Sequence, residues 1–290
     1  MENNTTSTNS TVELPGKTAT DVVAKISELM KQQKAAKEDS ETGEKPKGIP
    51  YDFSKIHLHI GIPCYGGMMS EPTVTSLLKF ILMASRAGLN WSLDTMVNES
   101  LITRGRNNLM SKMMSNQSAT HFMFIDADIR FEPESIFQML VYEKDVIGGL
   151  YPKKSIPTNY VINLLPQTQI HGDTFTVDTM GTGFLIFKRE VYQKLCDAHP
   201  ECKYVDDVGL GKQYEPYMYA IFDVGIDEKG HYLSEDWMFC RRWQKQGGTI
   251  WAHSKVLLNH CGHYEYKGDL SQMPSFTKPE SKSQSEPSAA

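Results

Sequence analysis

The sequence feature that most constrains the fold is an apolar run that ends in two aspartates, HFMFIDAD at residues 121–128. A short run of aromatic and β-branched residues predicts a strand that is buried on both faces. Asp126 and Asp128 follow where this strand ends, and in open α/β sheets ligands bind outside the carboxyl ends of the strands. Because a hard cation takes carboxylate and phosphate oxygens as ligands, the pair predicts a metal–diphosphate site. The alternative is that the two acids only end the strand and cap the next helix.

The order of strand and helix patterns predicts an α/β fold. Strand patterns lie at 56–63, 90–95, 121–125 and 146–151, and helix patterns lie between them at 70–88, 101–114 and 133–143. The first helix has clear boundaries, because Ser70 is a good N-cap before Pro72 and Gly88 is a typical helix end. Strands that alternate with helices favour a mostly parallel sheet with helices on both faces.

Length and charge exclude several classes of protein. A chain of 290 residues can bury a substantial core, and its net charge of −5 gives no electrostatic footprint for nucleic acid. Apolar runs such as residues 80–84 are too short to span a bilayer, and the N-terminus shows no signal-peptide pattern. Five cysteines without dense spacing are typical of free thiols in a reducing compartment. We therefore expect a cytoplasmic protein without a nucleic-acid partner or a transmembrane segment, and peripheral membrane contact stays open.

Composition divides the chain into three parts. Residues 1–50 are rich in Asn, Thr and Ser and then in Lys and Glu, which is typical of a disordered tail, although residues 20–34 carry a helical apolar stripe. The Ser, Pro, Lys and Glu mixture of residues 271–290 predicts a second disordered tail. We expect the folded domain to cover residues 51–270.

Glycine-rich and basic stretches give further clues to the ligand. The loop at Gly66 matches neither the dinucleotide-binding nor the P-loop fingerprint, which argues against both classes. Arg106, in the second helix pattern, offers a planar fork of donors for phosphate or a base edge, and a solvated helix face is the alternative. Gly181 and Gly183 precede a predicted strand, where the backbone can approach a ligand closely, although a tight turn also uses glycine.

Two acids near the end of the chain are candidates for a general base. Ser234 is a good N-cap, and Glu235 and Asp236 fall in the first turn of the predicted helix, where acids complement the helix dipole. That structural role explains both acids. An acid at such a helix start can also take a proton from a hydroxyl nucleophile.

The last candidate ligands follow two predicted strands at residues 249–252 and 255–259. His260 and His263 flank a cysteine there, but no second Cys/His pair has zinc spacing, so a structural zinc site is disfavoured. One histidine as a further ligand to the cation at the two aspartates is the more economical interpretation.

Together these motifs resemble the GT-A-fold, nucleotide-sugar-dependent glycosyltransferases that contain a DxD motif. The resemblance covers residues 57–269 and depends most on residues 124–128, 181–184, 234–240 and 260–262. It implies a GT-A-like (Rossmann-like) catalytic domain, with a mostly parallel sheet flanked by helices and a smaller acceptor-side region. It also implies metal-dependent transfer of a sugar from a nucleotide-diphosphate donor to a hydroxyl acceptor, such as a glycan.

The resemblance also implies a role for each candidate residue. Asp128 would bind Mn²⁺ or Mg²⁺ most directly, and Asp126 would contact the metal or the ribose and sugar. His260 would be the third metal ligand, with His263 as the fallback. In an inverting enzyme Asp236 would be the base, with Glu235 next, whereas a retaining enzyme need not use either. Ile62, Pro63 and Tyr65 would lie near the nucleotide base, and Arg106 near the base or the diphosphate. Gly181 and Gly183, with Glu235 and Asp236, would line the sugar and acceptor side.

Two other functions stay open at this point. Metal-dependent nucleotidyl transfer also uses carboxylates at strand ends, but it usually shows a basic residue in a glycine-rich loop after the first strand, and residues 63–67 lack one. A non-catalytic protein that binds nucleotide sugars or carbohydrates is the second alternative. The retained acids of the metal and base motifs count against it.

Overall fold

A computed structural model of the chain describes residues 10–13 and 51–268. Most of the first predicted tail, residues 1–50, lies outside the described residues, and so does its helical stripe. The second predicted tail, residues 271–290, also lies outside them. Within the first of these tails, Ser10–Glu13 forms a strand that pairs antiparallel with Gln167–His171.

Helices and strands alternate over residues 57–150, and strands predominate after residue 150. The helices are α1 (Glu71–Ala87), α2 (Ile102–Ser115), α3 (Glu134–Leu140), α4 (Arg189–Ala198) and α5 (Glu235–Lys245). The strands are β1 (Ser10–Glu13), β2 (His57–Cys64), β3 (Asn90–Val97), β4 (His121–Ile125), β5 (Ile129–Phe131), β6 (Val146–Leu150), β7 (Ile162–Asn163), β8 (Gln167–His171), β9 (Thr174–Val177), β10 (Thr179–Met180), β11 (Phe184–Lys188), β12 (Gly225–Ile226), β13 (Tyr232–Leu233), β14 (Ile250–His260) and β15 (Tyr266–Lys267).

One large mixed sheet forms the centre of the fold. Its strands follow the order β1-β8-β9-β14-β6-β11-β4-β2-β3, and β5 and β15 pair with β14. Strands β3, β2, β4, β6 and β14 run in one direction, while β11 lies antiparallel between β4 and β6. The predicted α/β fold, with a largely parallel central sheet flanked by helices, is therefore confirmed.

The core lies on both faces of this sheet, and β4 divides it. Phe122 and Phe124 pack on the face that α2, α4 and α5 cover, while Met123 and Ile125 pack on the face that α1 and α3 cover. All four side chains are fully buried, as the apolar run predicted. Burial of each large side chain stabilises the fold by roughly 1.5–3 kcal/mol.

Helix α1 shows how local signals fix an element. The Ser70 side chain accepts a hydrogen bond from the backbone N–H of Thr73, and Gly88 ends the helix in the left-handed conformation with φ 71°. The apolar stripe of the helix buries Leu77 and Phe80 against the sheet. Its predicted limits are therefore confirmed.

Two elements differ from their predicted limits. The two strands predicted at residues 249–252 and 255–259 form one strand, β14, because its pairing with β6 continues after a register shift between His253 and Leu257. Helix α3 ends at Leu140 rather than near residue 143. The long segment between α4 and β12 contains a short 3-10 helix, Lys212–Tyr217.

The strand directions gather the candidate residues at one edge of the sheet. The parallel strands β2, β4 and β6 deliver their carboxyl ends to this edge. Because β11 is antiparallel to β4, with Phe184 opposite Ile125, its first residue lies at the same edge. The predicted Gly-x-Gly and Asp-x-Asp motifs are therefore neighbours in space.

Candidate active site

The Asp126–Asp128 turn connects β4 to β5, and neighbouring segments hold its backbone. The backbone N–H of Asp126 donates to the Gly183 carbonyl at 2.8 Å, and the N–H of Cys261 donates to the Asp128 carbonyl at 2.7 Å. The helix-cap alternative is wrong, because a strand follows the turn and the next helix has Pro133 at its N-cap. The two carboxylates are thus fixed in place without any role at a helix terminus.

Arg106 in α2 is the buried centre of the acidic cluster. Its guanidinium is only 3% exposed, with Nη2 at 2.9 Å from Asp126 Oδ1 and Nε at 3.4 Å from Glu235 Oε1. It also lies over the Phe124 ring, 5.1 Å from the centroid. Burial opposes the charge, yet the surrounding acids, Asp126 and Asp236 foremost, raise the pKa of Arg106 above its ordinary value. The alternative of a solvated helix face is therefore wrong for Arg106.

Asp236 occupies a different environment from Glu235. The Thr182 hydroxyl donates a 2.6 Å hydrogen bond to Asp236 Oδ1, whereas Glu235 faces Arg106. Burial, with a contribution from the Glu235 charge, raises the pKa of Asp236 from 3.8 to about 7, although Arg106 and the Thr182 hydrogen bond act in the opposite direction. Ser234 is the N-cap residue as predicted, but its side chain makes no capping hydrogen bond. Asp236 is thus a carboxylate that can exchange a proton near neutral pH.

Gly181 and Gly183 allow other groups to approach the backbone closely, but these groups are side chains of the protein itself rather than a ligand. The backbone N–H of Gly183 donates to the Tyr151 hydroxyl at 3.2 Å. A Cβ at position 183 would lie 2.5 Å from Asp126 Oδ2, and a Cβ at position 181 would overlap the Tyr151 hydroxyl. Packing between protein groups therefore already requires both glycines.

Asp128 lies on the more open side of the site. Its Oδ2 is 2.5 Å from Lys154 Nζ, and its Oδ1 is 3.4 Å from His260 Nε2. Burial alone would raise the pKa of Asp128, but the contacts with His260 and Lys154 lower it below its ordinary value. His263 is exposed. Of the two histidines, His260 is therefore the one that lies beside Asp128.

The His260 ring is oriented as in many metal sites. Its Nδ1 lies 2.9 Å from the Pro152 carbonyl, which can only accept a hydrogen bond, so Nδ1 carries a proton. Nε2 then faces the Asp128 carboxylate either as a protonated donor or as a lone pair that shares a cation with it. Backbone carbonyls commonly orient metal-ligating histidines in this way. The Asp128–His260 pair fits a divalent cation completed by substrate oxygens.

Asp126 does not join that pair, because its carboxylate faces Arg106. Within residues 10–13 and 51–268, only His199, Glu201 and Cys202 form a group of three possible ligand side chains with all ligand atoms within 4.8 Å. The expected set of Asp126, Asp128 and His260 is therefore not gathered around one point. Asp126 would reach a cation at Asp128 only by turning away from Arg106.

The residues that were predicted to lie near the nucleotide base are at the carboxyl end of β2. Tyr65 is 71% exposed in the turn Tyr65–Gly67, and Pro63 is half-buried next to it. Ile62 is fully buried in the core, so its side chain is not available to contact a base. An exposed aromatic ring at this edge can stack on a nucleobase.

Sequence reasoning missed the roles of Tyr151, Thr182 and Lys154. Tyr151 and Lys154 follow β6 as Asp126 and Asp128 follow β4. The rule that ligands bind beyond the carboxyl ends of strands would therefore have found them. Thr182 lies inside the Gly-x-Gly motif, yet no pattern indicated its contact with Asp236.

Comparisons with known proteins give only distant similarities. No protein-family model and no curated protein matches the chain. Among solved structures, the protein A197 from STIV has 15% sequence identity and a TM-score of 0.43, over 71% of this chain and 86% of that one. A 4-diphosphocytidyl-2C-methyl-D-erythritol synthase from Anaerococcus prevotii has 6% identity and a TM-score of 0.32, over 67% and 98%. TarS from S. aureus has 12% identity and a TM-score of 0.28, over 56% and 54%.

Within the described parts of the chain, every helix is too short or too polar to cross a lipid bilayer.

Proposed function

We propose that the chain is a metal-dependent glycosyltransferase that moves a sugar from a nucleotide-diphosphate donor to a hydroxyl acceptor, such as a glycan. The observation that carries this proposal is the presence of two chemically different carboxylates at one edge of the sheet. Asp128 lies beside His260 and Lys154, and Asp236 has a pKa near 7. Glycosyl transfer needs one group that stabilises a departing diphosphate and another that accepts the proton of the acceptor.

The Asp128 side of the site would serve the leaving group. Asp128 and His260 would hold Mn²⁺ or Mg²⁺, with Asp126 as a contact to the donor, because one side of Asp126 remains partly exposed. When bound, the cation supplies Lewis-acid stabilisation of the negative charge that develops on the diphosphate. Two carboxylates with separate partners support unequal roles for Asp126 and Asp128.

The Asp236 side of the site would serve the acceptor. The acceptor oxygen forms the new bond to the anomeric carbon, the bond to the diphosphate oxygen breaks, and the acceptor proton passes to Asp236. A carboxylate with a pKa near the working pH suits this task, because it is largely ionised and still basic. The Thr182 hydroxyl orients the carboxylate. Direct displacement of this kind inverts the anomeric centre.

Arg106 would act as a positioning residue rather than as a donor ligand. Its guanidinium is buried and binds Asp126 and Glu235. Both carboxylates are thereby held in a fixed orientation. Glu235 is consequently less suitable than Asp236 as the base.

The donor nucleotide would lie near the end of β2. Tyr65 is exposed there, and stacking on an aromatic ring does not depend on which base is present. We also propose that the reaction takes place in the cytoplasm, because all five cysteines are free thiols.

A thermal-shift panel tests the proposal at the level of binding. The full chain is unfolded by heat in the presence of UDP, GDP, CDP or ADP, or of the corresponding triphosphates, each with and without Mn²⁺. A ligand that binds the folded state raises the midpoint of unfolding, here by several degrees. We expect one nucleoside diphosphate to do so only with Mn²⁺. A panel in which no nucleotide shifts the midpoint with Mn²⁺ would overturn the proposal, and a shift by nucleoside triphosphates alone would favour nucleotidyl transfer.

A further inference from the structure

We propose that Lys154 binds the diphosphate of the donor, giving up its ion pair with Asp128 when a divalent cation binds there. This inference rests on the proposed function. It adds a leaving-group-binding residue to the site and predicts that Lys154 and the metal compete for one carboxylate.

The competition follows from the way the Asp128 carboxylate is shared. Lys154 Nζ is 2.5 Å from Oδ2, while His260 Nε2 faces Oδ1 at 3.4 Å. A cation bound between Asp128 and His260 would lie next to the ammonium group. The bound cation and the ammonium group would repel each other at this short distance. The ammonium group would therefore move to the nearest negative group, which is the donor diphosphate.

The ion pair between Lys154 and Asp128 is suited to exchange. The side chains of Lys154 and Asp128 are 40% and 35% exposed, and an ion pair with this exposure is weak because water screens it. A lysine ammonium is a compact charge on a flexible stem, which suits a phosphate partner that arrives during binding. The pair can therefore open without disturbing the core.

The loop that carries Lys154 is fixed to the site at its base. The Tyr151 hydroxyl accepts a hydrogen bond from the backbone of Gly183, and the Pro152 carbonyl accepts one from His260. A further backbone hydrogen bond joins Lys153 to Asn159 across the loop. Rotation of the Lys154 side chain alone can thus carry its ammonium away from Asp128.

The net negative charge of the site explains why a mobile lysine would help a diphosphate to bind. Four acids lie at the site: Asp126, Asp128, Glu235 and Asp236. Of the lysine and arginine side chains that pair with these acids within residues 51–268, Arg106 is buried and Lys154 is partly exposed. A diphosphate that approaches this cluster meets net negative charge, and Lys154 is the side chain that can meet it directly.

The neighbouring lysine provides a matched control. Lys153 is exposed like Lys154 but forms no ion pair within the described residues. Lys153→Met and Lys154→Met remove the same charge from adjacent positions, so a difference between them reports on the contact with Asp128 rather than on net charge. Lys154→Arg keeps the positive charge.

The test measures two affinities by calorimetry, for Mn²⁺ alone and then for UDP, GDP, CDP or ADP at saturating Mn²⁺. We expect Lys154→Met to bind Mn²⁺ several-fold more tightly than the wild type, since its competitor is gone. We expect the same variant to bind the preferred nucleoside diphosphate about tenfold more weakly, since a charged hydrogen bond is lost. Lys153→Met should match the wild type in both measurements, and Lys154→Arg should retain nucleotide binding.

The outcomes separate this inference from the proposed function. If the wild type binds Mn²⁺ and a nucleoside diphosphate but Lys154→Met leaves both affinities unchanged, or weakens Mn²⁺ binding, the role of Lys154 is overturned and the proposed function stands. If the wild type binds neither Mn²⁺ nor any of these nucleotides, both are overturned.

Discussion

The guanidinium of Arg106 in α2 lies 2.9 Å from the carboxylate of Asp126 beyond β4, and the pair is buried on the arginine side. The same guanidinium reaches Glu235 at the start of α5. One side chain thus connects the Asp-x-Asp turn to the helix that carries Asp236. This connection explains why an acidic cluster can persist at the edge of the sheet.

Replacement of Arg106 should be among the most destabilising changes at the site. Arg106→Met leaves Asp126 and Glu235 without their buried partner, and loss of one partner of a buried ion pair costs about 3–5 kcal/mol. Arg104→Met is the matched control, because Arg104 lies two residues away on α2 and forms a more exposed pair with Glu99. That pair should contribute little to stability, because water screens the charge of Arg104. Urea unfolding of both variants measures the difference. Similar losses of unfolding free energy in the two variants would contradict the role assigned to Arg106.

Turnover should rise with pH through about 7. Asp236 accepts a proton only when ionised, and its pKa is raised to about 7. The rate profile of kcat/KM against pH should therefore show an ascending limb near pH 7. Asp236→Asn should lower kcat by roughly 10²–10⁴-fold and remove that limb, whereas Asp197→Asn on the surface of α4 should change neither. An unaltered limb in Asp236→Asn would assign the titration to another group.

The same raised pKa predicts a stability effect of definite sign. Because the folded state binds the Asp236 proton more tightly than the unfolded state, the stability contributed by this group is complete below pH 3.8 and is lost as pH rises to about 7. The Asp236→Asn side chain cannot ionise. The free energy of unfolding of this variant, taken relative to that of the wild type, should therefore be greater at pH 8 than at pH 5. Urea unfolding at both pH values measures this, and a difference of the opposite sign would contradict the raised pKa.

Gly183 should not tolerate a methyl group. The added Cβ in Gly183→Ala would lie 2.5 Å from Asp126 Oδ2, so the Asp-x-Asp turn or its neighbour must shift. Overpacking of this kind costs about 1–3 kcal/mol, and displacement of Asp126 should also reduce turnover. Gly105→Ala is the control, because its Cβ would meet only the flexible Glu99 side chain at 3.4 Å, within a helix that favours alanine. Equal activity in the two variants would show that the position of Asp126 is not critical.

Local signals accounted for much of the fold. Ser70 and Gly88 mark the ends of α1 through their own hydrogen-bonding and backbone preferences, and the period of the apolar residues identifies the strands. The placement of Asp126 and Asp128 at the edge of the sheet followed from a rule about strand ends. These features depend on short stretches of chain, which is why they could be predicted.

Non-local contacts accounted for what was missed. The direction of β11 depends on which strands flank it, and nothing within residues 184–188 specifies that it lies antiparallel between β4 and β6. The burial of Arg106 depends on Glu235, 129 positions away in sequence. The contact of Lys154 with Asp128 likewise joins two strand-end loops that only the completed sheet brings together.

The central claim is that Asp128 supports metal-dependent release of a nucleoside diphosphate from a nucleotide sugar. The most direct measurement is the rate of that release by the wild type and by Asp128→Asn, each with Mn²⁺ and with a chelator. We expect turnover by the wild type only with Mn²⁺, and loss of turnover in Asp128→Asn while its thermal unfolding without metal stays within a few degrees of the wild type. Equal turnover by Asp128→Asn with and without chelator would contradict the account.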